Sequence, residues 1–374
     1  LALQAKKYPD IDMPTAITQI AGRQVAAEKI PSWREMEEIW YPKHLSLEQC
    51  SSEITARYKA RLSQGDSLTD LTGGFGIDCS FLATGFKSAT YVERQEELCE
   101  IAAHNFPILH LNHINVRNED GVAYLQTMSP VDCIFLDPAR RNEHGGKTVS
   151  IADCEPNVAE LEDLLLSKAS RIMIKLSPML DLSLALKELK HTQEVHILSV
   201  NNECKELLIL LGQTSPAEIT IHCVNLFTKG TQEEQHFVFT REQEQRSQCT
   251  YTDSLGDYLY EPNASLLKAG AFRSIAAAYP VRKLHPNSHL YTSDTFIENF
   301  PGRIFRIVNQ CSFNKKEVKE NLADLKKANV TVRNFPATVA ELRKRLHLTE
   351  GGDTYLFAST LNNGQKVIIR CEKV

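Results

Sequence analysis

Between Ser67 and Val200 the chain alternates short apolar runs with helical ones: SLTDL, IDCSFLATGF, SATYVE, LCEIAAHNF, INVRNED, VDCIFLD, ELEDLLLSK, RIMIKLS, LSLALKEL and EVHILSV follow in turn. Strand and helix at this rhythm demand right-handed crossovers, which set the strands side by side in a parallel sheet with helices on both faces. The next runs, KELLILLG, EITIHCVNLF and HFVFT, have no helix between them and predict an antiparallel edge completing the sheet. The expected fold is therefore α/β, with a mostly parallel sheet.

The flanks differ in character. Up to Leu62 the pattern is helical: AITQIAGRQVAAEKI and WREMEEIWY are punctuated by Pro14, Pro31 and Pro42, and SLEQCSSEITARYKARL predicts one further helix capped by Ser46. A polar stretch, REQEQRSQCTYTD, predicts a linker, and Tyr260, Glu261, Pro262 and Asn263 predict a compact structural turn. SLLKAGAFRSIAAAY reads as a helix, and the last seventy or so residues alternate strands and helices, ending in a hairpin around Asn362, Asn363 and Gly364. With 374 residues and 42% hydrophobic content the chain can bury more than one core. The expected divisions are 1–62, 63–245, 246–302 and 303–374.

Charge is uneven. From Pro301 onward fourteen Lys and Arg face seven Asp and Glu, a local balance of +7 in a chain whose net charge is -5. A basic end on an acidic body is the pattern of a polyanion partner, although the same run also suits a solvated face. No two of the ten cysteines form a C-x-x-C pair, which argues against a structural zinc site and a disulfide framework and for a reducing compartment. The opening LALQAKKYPDIDM lacks the apolar core of a signal peptide, and no apolar run approaches the roughly 20 residues that span a bilayer. The expectation is a cytoplasmic protein without metal or membrane association.

The stretch from Asp70 to Asp78, DLTGGFGID, places glycines between a predicted strand and a predicted helix. Such a turn lets backbone approach a ligand closely. A dinucleotide site wants G-x-G-x-x-G, but after Gly74 and Gly76 the third position is Cys79. The spacing fits instead D-x-x-x-G-x-G, with Asp70 opening it and Thr72 standing where a first glycine is common. Three more acids close predicted strands: Glu93 after SATYV, Asp120 in VRNEDG and Asp137 in FLDPARR. Carboxyl ends of parallel strands are where open sheets bind ligands. Each acid also has a structural reading: Glu93 paired with Arg94, Asp120 capping a helix at GVAYLQ, and Asp137-Pro138 making a turn.

DLTGGFGID, YVE, NED and FLDPARR together resemble the bacterial class I S-adenosylmethionine-dependent methyltransferases that carry a ferredoxin-like segment and a THUMP-like carboxyl-terminal domain. EQCSSEITARYKA, YEPNASLLKAGAF and HLYTSD share the likeness, which spans nearly the whole chain. The resemblance implies a class I methyltransferase fold over 63–245, α/β and Rossmann-like with a mostly parallel seven-stranded sheet, then a ferredoxin-like segment over 246–302 and a THUMP-like domain over 303–374. It also implies S-adenosyl-L-methionine as cofactor, held by Asp70, Thr72, Gly74, Gly76, Asp78, Glu93 and Asp120, and an RNA substrate, tRNA or rRNA.

FLDPARR departs from the D/N-P-P-aromatic motif of amine methylation, because Ala139 and Arg140 replace the second proline and the aromatic ring. Stacking on a flipped base would then fall to a guanidinium or to a group elsewhere. The expected mechanism is direct in-line transfer, with Asp137 and the Pro138 carbonyl orienting the acceptor, Arg140 and Arg141 holding phosphate or base, and Lys175 lining the pocket. RIMIKLSPMLD offers no cysteine for covalent attack on a pyrimidine, and Cys204 reads as packing. Two other readings stay open: a non-catalytic RNA-binding protein on a degenerate methyltransferase fold, and a nicotinamide-dependent enzyme, disfavoured by Cys79.

Overall fold

The computed structural model describes residues 12–140, 150–231 and 234–374, with His44 and Arg140 described in their backbone alone. Arg141 lies outside the described residues. The chain divides into two compact units, Leu1–Leu198 with Lys205–Ile219, and Ser199–Cys204 with Thr220–Val374.

The first unit is built on strands β1 (Gly65–Asp70), β2 (Phe86–Glu93), β3 (Ile114–Asn118), β4 (Val131–Leu136), β5 (Ala169–Leu176), β6 (Thr192–Val200) and β7 (Glu203–Gly212). They lie in the order β6-β7-β5-β4-β1-β2-β3 within a sheet of nine strands among the described residues, two more than the seven expected. Strand β1 runs parallel to β2 and β4, β2 to β3 and β4 to β5, whereas β7 runs antiparallel to β5. The α/β fold with a mostly parallel sheet is thus the one the alternating pattern predicts. The chain steps outward from β1 to β3 and then returns to β4 on the other side of β1. That reversal opens a crevice at the carboxyl ends of β1 and β4.

Helices α1 (Met13–Lys29), α2 (Pro31–Arg34), α3 (His44–Gln49) and α4 (Glu53–Ala60) precede the sheet, and α5 (Ile77–Ala83), α6 (Glu96–Ile108), α7 (Gly121–Thr127), α8 (Val158–Lys168) and α9 (Leu182–Glu188) cross between strands. The single helix expected over SLEQCSSEITARYKARL is two, and Ser46 sits inside α3 rather than capping it. The cause is extended backbone at Cys50 and Ser52, which breaks the helix and leaves Ser51 buried between them. The early helices share a core with the glycine turn: Ile30, Trp33, Tyr41 and Leu47 pack with Phe75 and Ile77. Trp33 meets Phe75 edge to face at 5.2 Å. Burying such side chains stabilises by about 1.5–3 kcal/mol each, so these helices brace the turn.

In the second unit, Thr220–Leu226 and Glu234–Thr240 form an antiparallel pair. Arg241–Arg246, inside the expected linker, is a helix started by a reciprocal Thr240/Gln243 capping box. A seven-stranded sheet follows, in the order Arg282–Lys283, Tyr291–Ser293, Tyr258–Pro262, Gly302–Ser312, Lys366–Lys373, Thr354–Thr360 and Asn329–Val332. Tyr260 to Pro262, expected as a turn, therefore lie in an internal strand, with Asn263 capping the helix Ala264–Ala269. The helix expected over SLLKAGAFRSIAAAY breaks at Gly270, whose φ of +76° is left-handed.

Glu261 fastens this sheet. Its side chain is 2% exposed and accepts from Arg303 through one oxygen and from Arg333 through the other, the latter at 3.1 Å. Both arginines came from the basic end that the sequence offers to a polyanion, so here they are committed to an internal acid. Glu261→Gln strands two guanidiniums beside a neutral amide and should lower stability by about 1–3 kcal/mol, read as an earlier unfolding midpoint. An unchanged midpoint would show that the triad contributes nothing net.

Candidate active site

Residues from β1, β2 and β4 converge on the crevice. Asp70, the last residue of β1, is 1% exposed and accepts the Thr72 backbone N–H at 3.0 Å through Oδ1. Its Oδ2 is buried with no hydrogen-bond partner among the described residues. Burial holds this carboxyl well above the usual range, the Thr72 bond opposes the rise, and the charges of Asp78, Asp137 and Glu93 add to it. A buried acceptor in this state is matched by a cationic ligand group.

The glycine turn is shaped by close packing. A Cβ on Gly73 would lie 2.2 Å from the Tyr91 ring, while Gly74 and Gly76 take φ of +55° and +85°. Its N–H groups are already used: Gly73 donates to the Val92 carbonyl, Gly74 to Glu93 Oε2 and Gly76 to the Gly73 carbonyl, each at 2.9 Å. A phosphate would find those three donors taken, which weighs against a dinucleotide in this turn. Cys79, in the third glycine's place, is fully buried against Tyr91 and Phe106. Thr72, the residue standing in for a first glycine, accepts the Asp137 N–H on its hydroxyl at 2.6 Å. The tip of β4 is thereby fixed to the tip of β1.

Glu93 sits at the end of β2, with Oε2 on Gly74 N–H and Oε1 on Gln95 N–H, both at 2.9 Å. Each carboxylate oxygen keeps a second lone pair for a hydroxyl. Asp120 caps α7, its Oδ1 accepting from Val122 and Ala123 N–H at 3.0 Å, and it is exposed at the end of β3. The structural reading of Asp120 is thus realised, and its position at a strand end holds alongside it.

The least expected feature is a buried ionic cluster behind Asp137. Lys175 on β5 places Nζ 2.5 Å from Asp137 Oδ2, 3.0 Å from Ser51 Oγ and 3.5 Å from Asp78 Oδ2. Lys59 on α4, wholly buried, sits 2.9 Å from Ser51 Oγ, 2.9 Å from Asp78 Oδ1 and 2.7 Å from Glu206 Oε1 on β7. Burial pushes the Asp78 carboxyl up, but the ammoniums of Lys59 and Lys175 overcome it and hold the group at about 2. Burial likewise depresses Lys175, and Asp137, Asp78 and Glu206 more than reverse that. Burial raises Asp137, with Lys175 opposing the rise.

Asp78, expected at the cofactor, is therefore turned into this cluster, and Lys175 reaches the reaction side only through Asp137. Sequence reasoning missed Ser51, Lys59 and Glu206. The signal was weak: a Lys in the apolar stripe of RYKA, and an acid opening the apolar run ELLILL. Pro138 is buried behind Asp137, and the Ala139–Arg140 backbone pairs antiparallel with Cys154–Glu155.

Comparisons with known proteins fit this geometry. Three family models match: protein-L-isoaspartate(D-aspartate) O-methyltransferase over 35–142, a ferredoxin-like domain over 258–301 and a THUMP domain-like module over 302–373. No curated protein matches. A solved structure from Porphyromonas gingivalis W83, given as a "putative methyltransferase", is 37% identical with a TM-score of 0.88, covering 98% of this chain and 92% of that one. A modification subunit of a "putative type I restriction enzyme" from Vibrio vulnificus YJ016 is 11% identical, with a TM-score of 0.37 over 54% of this chain and 56% of its own. An rRNA methylase from Streptococcus thermophilus is 13% identical, with a TM-score of 0.31 over 43% of this chain and 93% of its own. Neither of these two bears on what this chain does. The chain belongs to the class I methyltransferase family that carries ferredoxin-like and THUMP-like carboxyl-terminal domains.

Proposed function

We propose that the protein is an S-adenosylmethionine-dependent methyltransferase acting on a base of tRNA or rRNA by direct in-line transfer. The observation that carries the reading is the pairing of a buried, half-satisfied Asp70 with Asp137 one strand away, linked by Thr72, whose backbone N–H donates to Asp70 and whose hydroxyl accepts the Asp137 N–H. S-adenosylmethionine, when bound, supplies an electrophilic methyl group. Asp70 Oδ2 takes its ammonium, Glu93 accepts from the ribose hydroxyls, and Asp120 lies at the strand end assigned to the adenine amine. Asp137 and the Pro138 carbonyl accept N–H groups of the incoming base and so aim its nitrogen lone pair. Asp137, raised by burial, is suited to receive the proton the nitrogen gives up. Arg140 and Arg141 are assigned to base stacking or phosphate contact.

The RNA assignment is supported by the THUMP-like match and by exposed lysines. Arg306, Arg343 and Arg370 pair with Glu372, Glu350 and Asp324, whereas Lys315, Lys316, Lys319, Lys326, Lys327 and Lys344 are exposed. Phosphate contact therefore falls to these lysines and the exposed Arg345, and affinity should decline with salt. A cytoplasmic setting is supported by ten free cysteines. No described helix is long and apolar enough to cross a membrane.

Two outcomes follow. Because burial keeps Asp70 protonated to unusually high pH, an ammonium ligand must displace that proton, so cofactor affinity should rise with pH from acid toward neutral. Calorimetry in buffers of differing ionisation enthalpy should register proton release on binding S-adenosylmethionine; affinity that is flat with pH would contradict the role of Asp70. Asp137→Ala should keep cofactor binding within a few-fold and cut methyl transfer to RNA from cells lacking the protein by at least about 100-fold. Wild-type turnover in that variant, or label found in protein carboxyl esters instead of RNA, would overturn the mechanism.

A further inference from the structure

We propose that Ser51 and Lys59 are positioning residues for Asp137: they fix the Lys175 ammonium on one carboxylate oxygen of Asp137 and leave the other oxygen to the methyl acceptor. The inference rests on the reading of Asp137 as the group that orients that acceptor.

The hydrogen-bond inventory supports it. Ser51 donates its hydroxyl proton to Asp78 Oδ2 at 2.6 Å and accepts from Lys59 at 2.9 Å and Lys175 at 3.0 Å. One hydroxyl offers one donor and two acceptor lone pairs, so Ser51 is fully used. Lys59 is saturated as well, donating to Ser51 Oγ and to both carboxylate oxygens of Glu206, at 2.7 and 3.0 Å, while Asp78 Oδ1 faces it as an ion pair at 2.9 Å. A staple between helix and sheet would need only Lys59, Asp78 and Glu206. Lys175 is the member that extends the cluster outward, ending at Asp137, whose side chain is 35% exposed against 9% for Lys175 and 0% for Lys59.

Removing the Ser51 hydroxyl takes an acceptor from both ammoniums at once. Lys175 can recover one by closing on Asp78 Oδ2, already 3.5 Å away, and so loosens its hold on Asp137. The groups that then set the Asp137 charge are Asp70 on β1, Asp78 on α5, Lys175 on β5, Lys59 on α4 and Glu206 on β7. The nearby Cys50 thiol, pushed up to about 11 by burial, stays neutral. With its closest cation displaced, Asp137 should take up a proton at higher pH.

The test is a carboxyl 13C titration of the full chain labelled at aspartate, with the Asp137 signal assigned by its loss in Asp137→Asn. In Ser51→Ala the Asp137 midpoint should rise by about one pH unit, and Ser51→Thr, which keeps the hydroxyl, should return it toward wild type. S-adenosylmethionine affinity should stay within about twofold in both, since neither variant touches Asp70. An Asp137 midpoint unmoved in folded Ser51→Ala overturns the proposal. If that variant does not fold, the charge-balanced pair Lys59→Met with Glu206→Leu decides in the same way. Methyl transfer to RNA from cells lacking the protein separates the two levels: its acid limb should move with the midpoint, whereas a wild-type protein inactive on RNA overturns the RNA reading and leaves the midpoint to judge the positioning.

Discussion

A single hydroxyl, Ser51 Oγ, stands between two buried ammoniums and a buried carboxylate, and the rest of the first unit is organised around that junction. Two lysines away from water are tolerable only if every N–H finds an acceptor, because unpaired buried charge costs several kcal/mol. Meeting that demand ties α4, α5, β5, β7 and the tip of β4 to one point. The glycine turn inherits its rigidity from the same place, since α5 carries Asp78 into the cluster and follows directly from Gly76. An apolar core over Trp33, Tyr41 and Phe75 holds the turn from its other side.

Asp70 and Asp137 then divide the labour of charge. Both are raised by burial, but Asp137 has Lys175 at 2.5 Å while Asp70 keeps an oxygen with no partner among the described residues. The first is a buried acid with one oxygen unpaired among the described residues, and the second is an acid whose partner is already supplied. That asymmetry suits a cationic methyl donor at β1 and an N–H-bearing acceptor at β4.

Much of this was legible in the sequence. The alternation from Ser67 to Val200 encodes the sheet because crossover handedness leaves few alternatives, and the acids at strand ends announce the crevice. Gly73 to Gly76 were legible as a tight turn, but not that their N–H groups would be spent internally, which depends on Glu93 and Val92 arriving from the next strand. Lys59 and Glu206 are 147 positions apart and read as ordinary surface charges until the fold brings them together. The misplaced caps and turns have local causes: Cys50 to Ser52 unwind a helix to seat Ser51, and Tyr260 to Pro262 are drawn into a strand by pairing with Gly302 to Ile304. The basic end divides its charges in a way the sequence does not show. Its net charge alone cannot tell that Arg303 and Arg333 serve the buried Glu261 while its lysines stay exposed.

The central claim is that this crevice moves a methyl group onto RNA. Mass spectrometry of nucleosides from cells without the protein, and from the same cells complemented with wild type or with Asp137→Ala, tests it most directly. The account predicts one methylated nucleoside absent without the protein, restored by wild type and not by the variant. An unchanged nucleoside profile in all three would contradict it.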